Sequence, residues 1–242
     1  MAGMRILHPP ARLKSRIKAR IYAALPERKR RLSYYSEGLM TVTDIKEYKN
    51  GKYEIYLNDE FAFVLYKSEI RKLNIEKGKE ISDEGRSDIL NGILSKRAIK
   101  RAMNLLIKTD RTEADLRRKL RENRYPETVI DTAVEYVKGF HYIDDERYAK
   151  AYISAKAGSC SLRSIRQKLV EKGIDKDIID NELEDYYSLE GAALESELIR
   201  VSMLKICPNP ASLDHNERQK LFAKLYRRGF SISDIEKVYS SL

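Results

Sequence analysis

A chain of 242 residues with 42% apolar content is long enough for one large domain or several small ones and can build hydrophobic cores. Charged residues make up 35%, Trp is absent and sixteen Tyr stand against five Phe, a balance that suits small modules with shallow cores whose rings pack while their hydroxyls reach water. The formal net charge of +10 favours a polyanionic partner, two cysteines exclude a disulfide framework, and no apolar run approaches the ~20 residues of a membrane span.

Residues 1–39 contain Pro9, Pro10 and Pro26 and the run Arg28-Lys29-Arg30-Arg31; residues 1–40 hold ten Lys/Arg against two acids. So basic a segment, with one short apolar patch at Ile21–Leu25, buries too little to offset its ordering entropy, and a disordered or frayed extension is expected. It reads either as a nucleic-acid-binding arm or as an extension upstream of a start at Met40. It lacks the 7–15-residue apolar core of a signal peptide, so the expected location is the cytoplasm.

From Thr41 the pattern changes to period two. Ile45 and Tyr48 precede Asn50-Gly51, and Tyr53, Ile55 and Leu57 follow it, which predicts a hairpin with a type I′ turn. Asn58-Asp59 marks a second turn and Phe61, Phe63 and Leu65 a third strand. A short helix near Lys67–Leu73 and an extended Glu80-Ile81 complete a small β module, which with one further helix spans residues 40–94. That helix starts at Ser82 and is either one long helix or two broken near Leu94.

Three decamers then organise the chain: LRRKLRENRY from Leu116, IRQKLVEKGI from Ile165 and LFAKLYRRGF from Leu221. Lys-Leu recurs at their fourth and fifth positions, placing Lys119, Lys168 and Lys224 in register. Offsets of 49 and 56 residues leave room for three short helices each, so the expected fold is mainly α, with tandem three-helix repeats in an elongated curved array behind the β-hairpin module. The predicted repeats cover 95–143, 144–188 and 189–242. Thr112, Asp144, Ser161 and Asp175 are the expected helix caps, Pro126 is expected in a first turn, and Cys207-Pro208-Asn209-Pro210 accounts for the longer third period.

No phosphate loop, nucleophile elbow, HExxH or paired-carboxylate motif is present, which argues against an enzyme. Cys160, Cys207, His8, His141 and His215 are scattered, so neither a metal site nor a cofactor is expected. Charge within the repeats is more informative. The decamers carry +4, +2 and +3, whereas third helices are acidic, at −2 over 126–139, −5 over 175–187 and −1 over 231–242. Stacked in one orientation, the middle helices form a basic stripe suited to phosphates or to an acidic protein groove, with Arg117, Arg121 and Arg124 on one helical face by their spacing. The alternative is that these charges solvate outer faces and pair with the neighbouring acidic helices. The joint between the first two repeats is Tyr142, Ile143, Asp144, Asp145, Arg147 and Tyr148. There Asp144 reads as a cap, Asp145 and Glu146 as complements to the helix dipole, and the aromatic and aliphatic residues as a buried hinge; a carboxylate metal site is the less favoured alternative.

These residues also carry a resemblance. The joint GFHYIDDERYA, preceded by TEADLRRKLRENRYPETVIDTAVEYV and followed by SLRSIRQKLVEKGIDKDIIDNEL, resembles the RecX family of bacterial recombination regulators. Repeats of that family have a G-Y-I-D-D-x-R-[FY]-A element followed by a basic R-x-x-L-x-x-K-G-I stretch. The segment YEIYLNDEFAFVLY resembles the N-terminal module of RecX proteins from Gram-positive bacteria. His141 is inserted beside the usual aromatic, Gly158-Ser159-Cys160-Ser161 replaces a more basic loop, and residues 1–39 have no family counterpart. The resemblance implies a monomer that lies in the groove of a RecA–DNA filament and inhibits recombinase, ATPase and coprotease functions in DNA repair and the SOS response. Arg117, Arg121, Arg163, Arg166, Lys168 and Lys224 are the expected contact residues. Single- and double-stranded DNA would be weak, electrostatic partners. The other reading is a helical DNA-binding protein acting on nucleic acid directly.

Overall fold

The computed structural model describes residues 38–242, so the expectation of a disordered arm over 1–39 lies, but for its last two residues, outside the described residues. Two compact units are present. One combines the described part of Met1–Thr109 with Lys119–Val137; the other combines Asp110–Arg118 with Lys138–Leu242.

In the first unit β1 (Leu39–Lys49), β2 (Lys52–Leu57), β3 (Glu60–Tyr66) and β4 (Glu80–Ser82) form an antiparallel sheet in the order β3-β2-β1-β4. Asn50 and Gly51 both take positive φ, as a type I′ turn requires, and so do Asn58 and Asp59 at the second hairpin. The extended stretch expected at Glu80-Ile81 becomes a fourth strand, pairing Leu39 with Ser82 and Met40 with Ile81. Helix α1 (Lys67–Lys72) follows β3. Ile55, Phe63 and Leu65 are fully buried.

Ser82 accepts a hydrogen bond from Gly85 N at 3.1 Å and so caps α2 (Asp83–Asp88). The helix does not break near Leu94. It widens into a π-helical segment, Ile89–Leu94, and continues as α3 (Ser95–Leu106), with Ser95 Oγ donating to Leu90 O at 2.9 Å. A buried hydroxyl thereby satisfies a carbonyl inside the wide turn.

The rest of the first repeat is α4 (Glu113–Arg121), shared between the units, and α5 (Glu127–Gly139). Thr112 caps α4 by accepting from Asp115 N. Pro126 sits one residue ahead of α5 rather than in its first turn, its carbonyl accepting from Val129 N and Ile130 N.

In the second unit follow α6 (Asp145–Lys156), α7 (Leu162–Glu171) and α8 (Lys176–Tyr186), capped by Asp144, Ser161 and Asp175. A π turn, Tyr187–Gly191, leads into α9 (Ala192–Ile206) without an intervening loop. After a short 3-10 turn, Pro210–Ser212, come α10 (His215–Arg227) and α11 (Ile232–Ser240). Tyr239 donates its hydroxyl to Pro210 O at 2.9 Å and so ties down the longer joint. α6, α7 and α8 enclose one core around Ala149, Ile153, Ile165, Leu169 and Ile179; α9, α10 and α11 enclose another around Ile199, Met203, Leu221, Leu225 and Ile235.

Candidate functional site

Helical spacing turns the first and fifth residues of each decamer inward: Leu116, Leu120, Leu169 and Leu225 are fully buried, and Ile165 and Leu221 nearly so. Lysines one position earlier therefore face away from the cores. The ninth position, just past the end of each middle helix, takes a left-handed conformation, at Arg124 (φ 60), Gly173 (φ 78) and Gly229 (φ 96). The helix ends at Arg121, so Arg124 does not continue the face of Arg117 and Arg121, a correction to the expected i, i+4, i+7 row.

Glycine at this position is required by close approach. A Cβ on Gly173 would lie 2.3 Å from the Ala114 Cβ, and one on Gly229 would lie 2.4 Å from Ser161 Oγ. Two further contacts recur at the same joints. Thr112 Oγ1 donates to Lys172 O at 2.8 Å and Ser161 Oγ to Arg228 O at 2.9 Å, so the N-terminus of one middle helix is fastened to the C-terminus of the next. The amide of Glu113 donates to Asp145 Oδ1 at 2.9 Å, and that of Leu162 to Glu195 Oε1 at 3.3 Å. Asp145 thus caps the preceding repeat instead of merely complementing its own helix dipole. Glu195 is the equivalent that reasoning from sequence missed; its signal is an acid four residues before Ile199, as Asp145 precedes Ala149.

Both carboxylates are shifted by their setting. Burial raises the Asp145 pKa above its usual value, against the hydrogen bond from Glu113 N. Burial likewise pushes Glu195 up to about 7, opposed by the Leu162 amide and aided by Asp234. Burial also opposes ionisation of Glu113, but hydrogen bonds from Lys138 (2.7 Å) and Arg117 (2.8 Å) prevail and hold its carboxyl below the usual range. The remaining joint residues behave as supports. Asp144 accepts from Arg147 N at 2.9 Å, and Arg147 donates to His141 O at 3.2 Å. Ile143 is buried, Tyr142 stacks on Phe140 at 6.0 Å, and Tyr148 stacks on Tyr152 at 6.3 Å beneath Lys172.

Four of the expected contact residues are engaged by acids close to them in the chain. Arg166 forms a two-pronged pair with Asp180, both bonds at 2.7 Å, Lys168 meets Glu171 at 2.9 Å, and Arg121 grips Glu127 at 2.6 and 3.0 Å. Arg117 holds Glu113. Arg163 instead lies over the Tyr226 ring at 5.1 Å, and among the described residues neither it nor the exposed Lys224 has an acidic partner. Also among the described residues, no group of three or more His, Cys, Asp or Glu is placed to hold a metal ion, and no helix is long and apolar enough to cross a membrane.

Residues 98–136 match the family model described as RecX, first three-helix domain, and residues 144–183 match RecX, second three-helix domain. A regulatory protein RecX from Caldanaerobacter subterraneus subsp. tengcongensis is 37% identical over 194 residues, covering 80% of this chain and 94% of its own length. The chain belongs to the RecX family. A regulatory protein RecX from Clostridium acetobutylicum is 28% identical over 209 residues, covering 85% of this chain and 97% of its own. A crystal structure of regulatory protein RecX aligns over 84% of this chain and all of its own, at a TM-score of 0.56 and 27% identity. RecX from Lactobacillus salivarius, at 24% identity and a TM-score of 0.55, shares the fold over 62% of this chain. Tandem RecX three-helix domains behind a small antiparallel sheet are thus the architecture, and the relatives named here are regulatory proteins.

Proposed function

We propose that this RecX-family chain binds the groove of a RecA–DNA filament as a monomer and inhibits the recombinase, ATPase and coprotease activities that depend on it. The observation that carries this reading is the run of basic middle helices in repeats fastened to one another by equivalent contacts. Within it, Arg163 and Lys224 keep charge that no acid of the described residues offsets. Arg117 is held in a part-buried pair with Glu113, whereas Arg121, Arg166 and Lys168 are held by acids of their own repeat in exposed pairs, which are worth only ~0–1 kcal/mol. A phosphate or carboxylate of the filament can therefore replace the intramolecular partner at little cost. Several such modest contacts along successive subunits multiply into useful affinity.

The ranking of the basic residues is testable by cosedimentation with preformed filaments. Arg163→Glu combined with Lys224→Glu should weaken binding ~10- to 100-fold, a loss of about 1.4–2.7 kcal/mol. Arg166→Glu with Lys168→Glu should weaken it less, because Asp180 and Glu171 already neutralise those positions. Undiminished binding by the first pair, in a chain that melts as wild type does, would exclude the middle helices as the contact.

A further inference from the structure

The register of the sheet gathers rings and cations on one side. Lys46 pairs with Glu54, Lys49 with Lys52 and Tyr56 with Phe61, which places these side chains on one face; Tyr48, at the register shift between Glu47 and Lys49, joins them through Arg124, which lies over both its ring and that of Phe61. The contacts agree. Lys46 Nζ lies 4.4 Å from the Tyr56 ring centroid, and Tyr56 meets Phe61 edge to face at 6.1 Å. Lys49 lies 4.8 Å from Tyr48, and Lys52 lies 5.5 Å from Tyr66. Ile55, Phe63 and Leu65, on the other side, are fully buried, whereas Phe61 and Tyr66 stay 37% exposed.

Arg124 adds a second observation. It occupies the left-handed position that its counterparts fill with Gly173 and Gly229, where a side chain costs about 1 kcal/mol or more of backbone strain. Its guanidinium lies 5.8 Å from the Tyr48 ring and 5.6 Å from that of Phe61. The acids on this face are already engaged. Glu54, almost wholly buried, accepts from the Tyr56 hydroxyl at 2.9 Å through one oxygen, while its other oxygen has no hydrogen bond and faces Arg124 at 3.5 Å; Asp44 accepts from Ile45 N and lies 3.5 Å from both Lys46 and Lys77. What remains toward solvent is the exposed Phe61 beside the half-buried Tyr48 and Tyr56, edged by the exposed Lys46 and Lys49.

We propose that this face binds single-stranded nucleic acid, with bases stacking on Tyr48, Tyr56 and Phe61 and phosphates meeting Lys46, Lys49 and Arg124. Stacking on aromatic rings tolerates any base, and a basic rim tracks the backbone. A lysine that swings from a ring to a phosphate exchanges a weak cation–π contact for a charge-assisted hydrogen bond and frees the ring for a base. A duplex hides its base faces and offers only the phosphates. The rings lie in the sheet, and Lys46, Lys49 and Arg124 are not among the filament contacts proposed above, so the site stands independently of the filament reading.

The test is fluorescence anisotropy of a fluorescein-labelled thymidine oligomer with the full-length chain and no RecA, alongside a duplex of equal length. Single strand should bind more tightly than duplex. Tyr48→Leu with Phe61→Leu keeps apolar contacts but removes both rings, and should weaken oligomer binding at least ~10-fold. Lys46→Gln with Lys49→Gln should lower the slope of log affinity against log salt by about one to two. Equal binding of duplex and single strand by the wild-type chain would overturn the proposal. So would unchanged affinity in a ring variant that melts as wild type does.

Discussion

One position in the decamer shows how a single residue decides what packs beside it. Gly173 and Gly229 admit a neighbouring helix because they lack a Cβ; Arg124, in the same conformation, reaches the sheet instead. Gly173→Ala combines an unfavourable φ with a 2.3 Å approach to the Ala114 Cβ, and should lower stability by about 1–3 kcal/mol in urea melts. The Glu195 carboxylate makes a prediction of opposite sign. Its folded pKa, about 7, exceeds the 4.5 of the exposed group, so the folded chain holds a proton that the unfolded chain releases between those values. The joint's stability is thus fullest below pH 4.5, falls as pH rises to 7, and stays low above it. Glu195→Gln retains an acceptor for Leu162 N without the charge, and should be about 1–3 kcal/mol more stable than wild type at pH 8 with little difference at pH 4.5. A wild-type advantage at pH 8 would show that the ionised carboxylate is the better cap.

Among elements, those carried by local chemistry were legible. Asn50-Gly51 fixed the first hairpin, and Thr112, Asp144, Ser161 and Asp175 each start a helix through a side chain three or fewer residues from its partner. Contacts between repeats were not legible, because their partners are backbone groups with no sequence signature: Asp145 and Glu195 reach amides 32 and 33 residues away, and Thr112 and Ser161 reach carbonyls 60 and 67 away. The π segments escaped for a similar reason, since an i→i+5 turn keeps apolar spacing close to that of an α-helix. Arg124 misled because its spacing from Arg117 and Arg121 is helical while its backbone is not. Ser161→Ala removes both the cap on Ser164 N and the donor to Arg228 O, and should cost about 1–2 kcal/mol. Hydrogen exchange should locate that loss at the starts of α7 and at the end of α10 together; faster exchange in α7 alone would mean that the joint does not couple them.

At the scale of the molecule, the second and third repeats each carry their own core, so they should behave as coupled but distinguishable folding units. Leu225→Ala, emptying a fully buried position, should cost about 2–5 kcal/mol and loosen the third repeat before the second. For the proposed regulation the same construction supplies several weak contacts on successive subunits rather than one strong site. The decisive measurement is RecA-catalysed, DNA-dependent ATP turnover on preformed filaments with the chain added well below one molecule per RecA. Strong suppression that survives a large excess of DNA, and that the Arg163→Glu, Lys224→Glu chain fails to produce, is the expected result. No suppression, or suppression that disappears as DNA is added, would contradict filament binding.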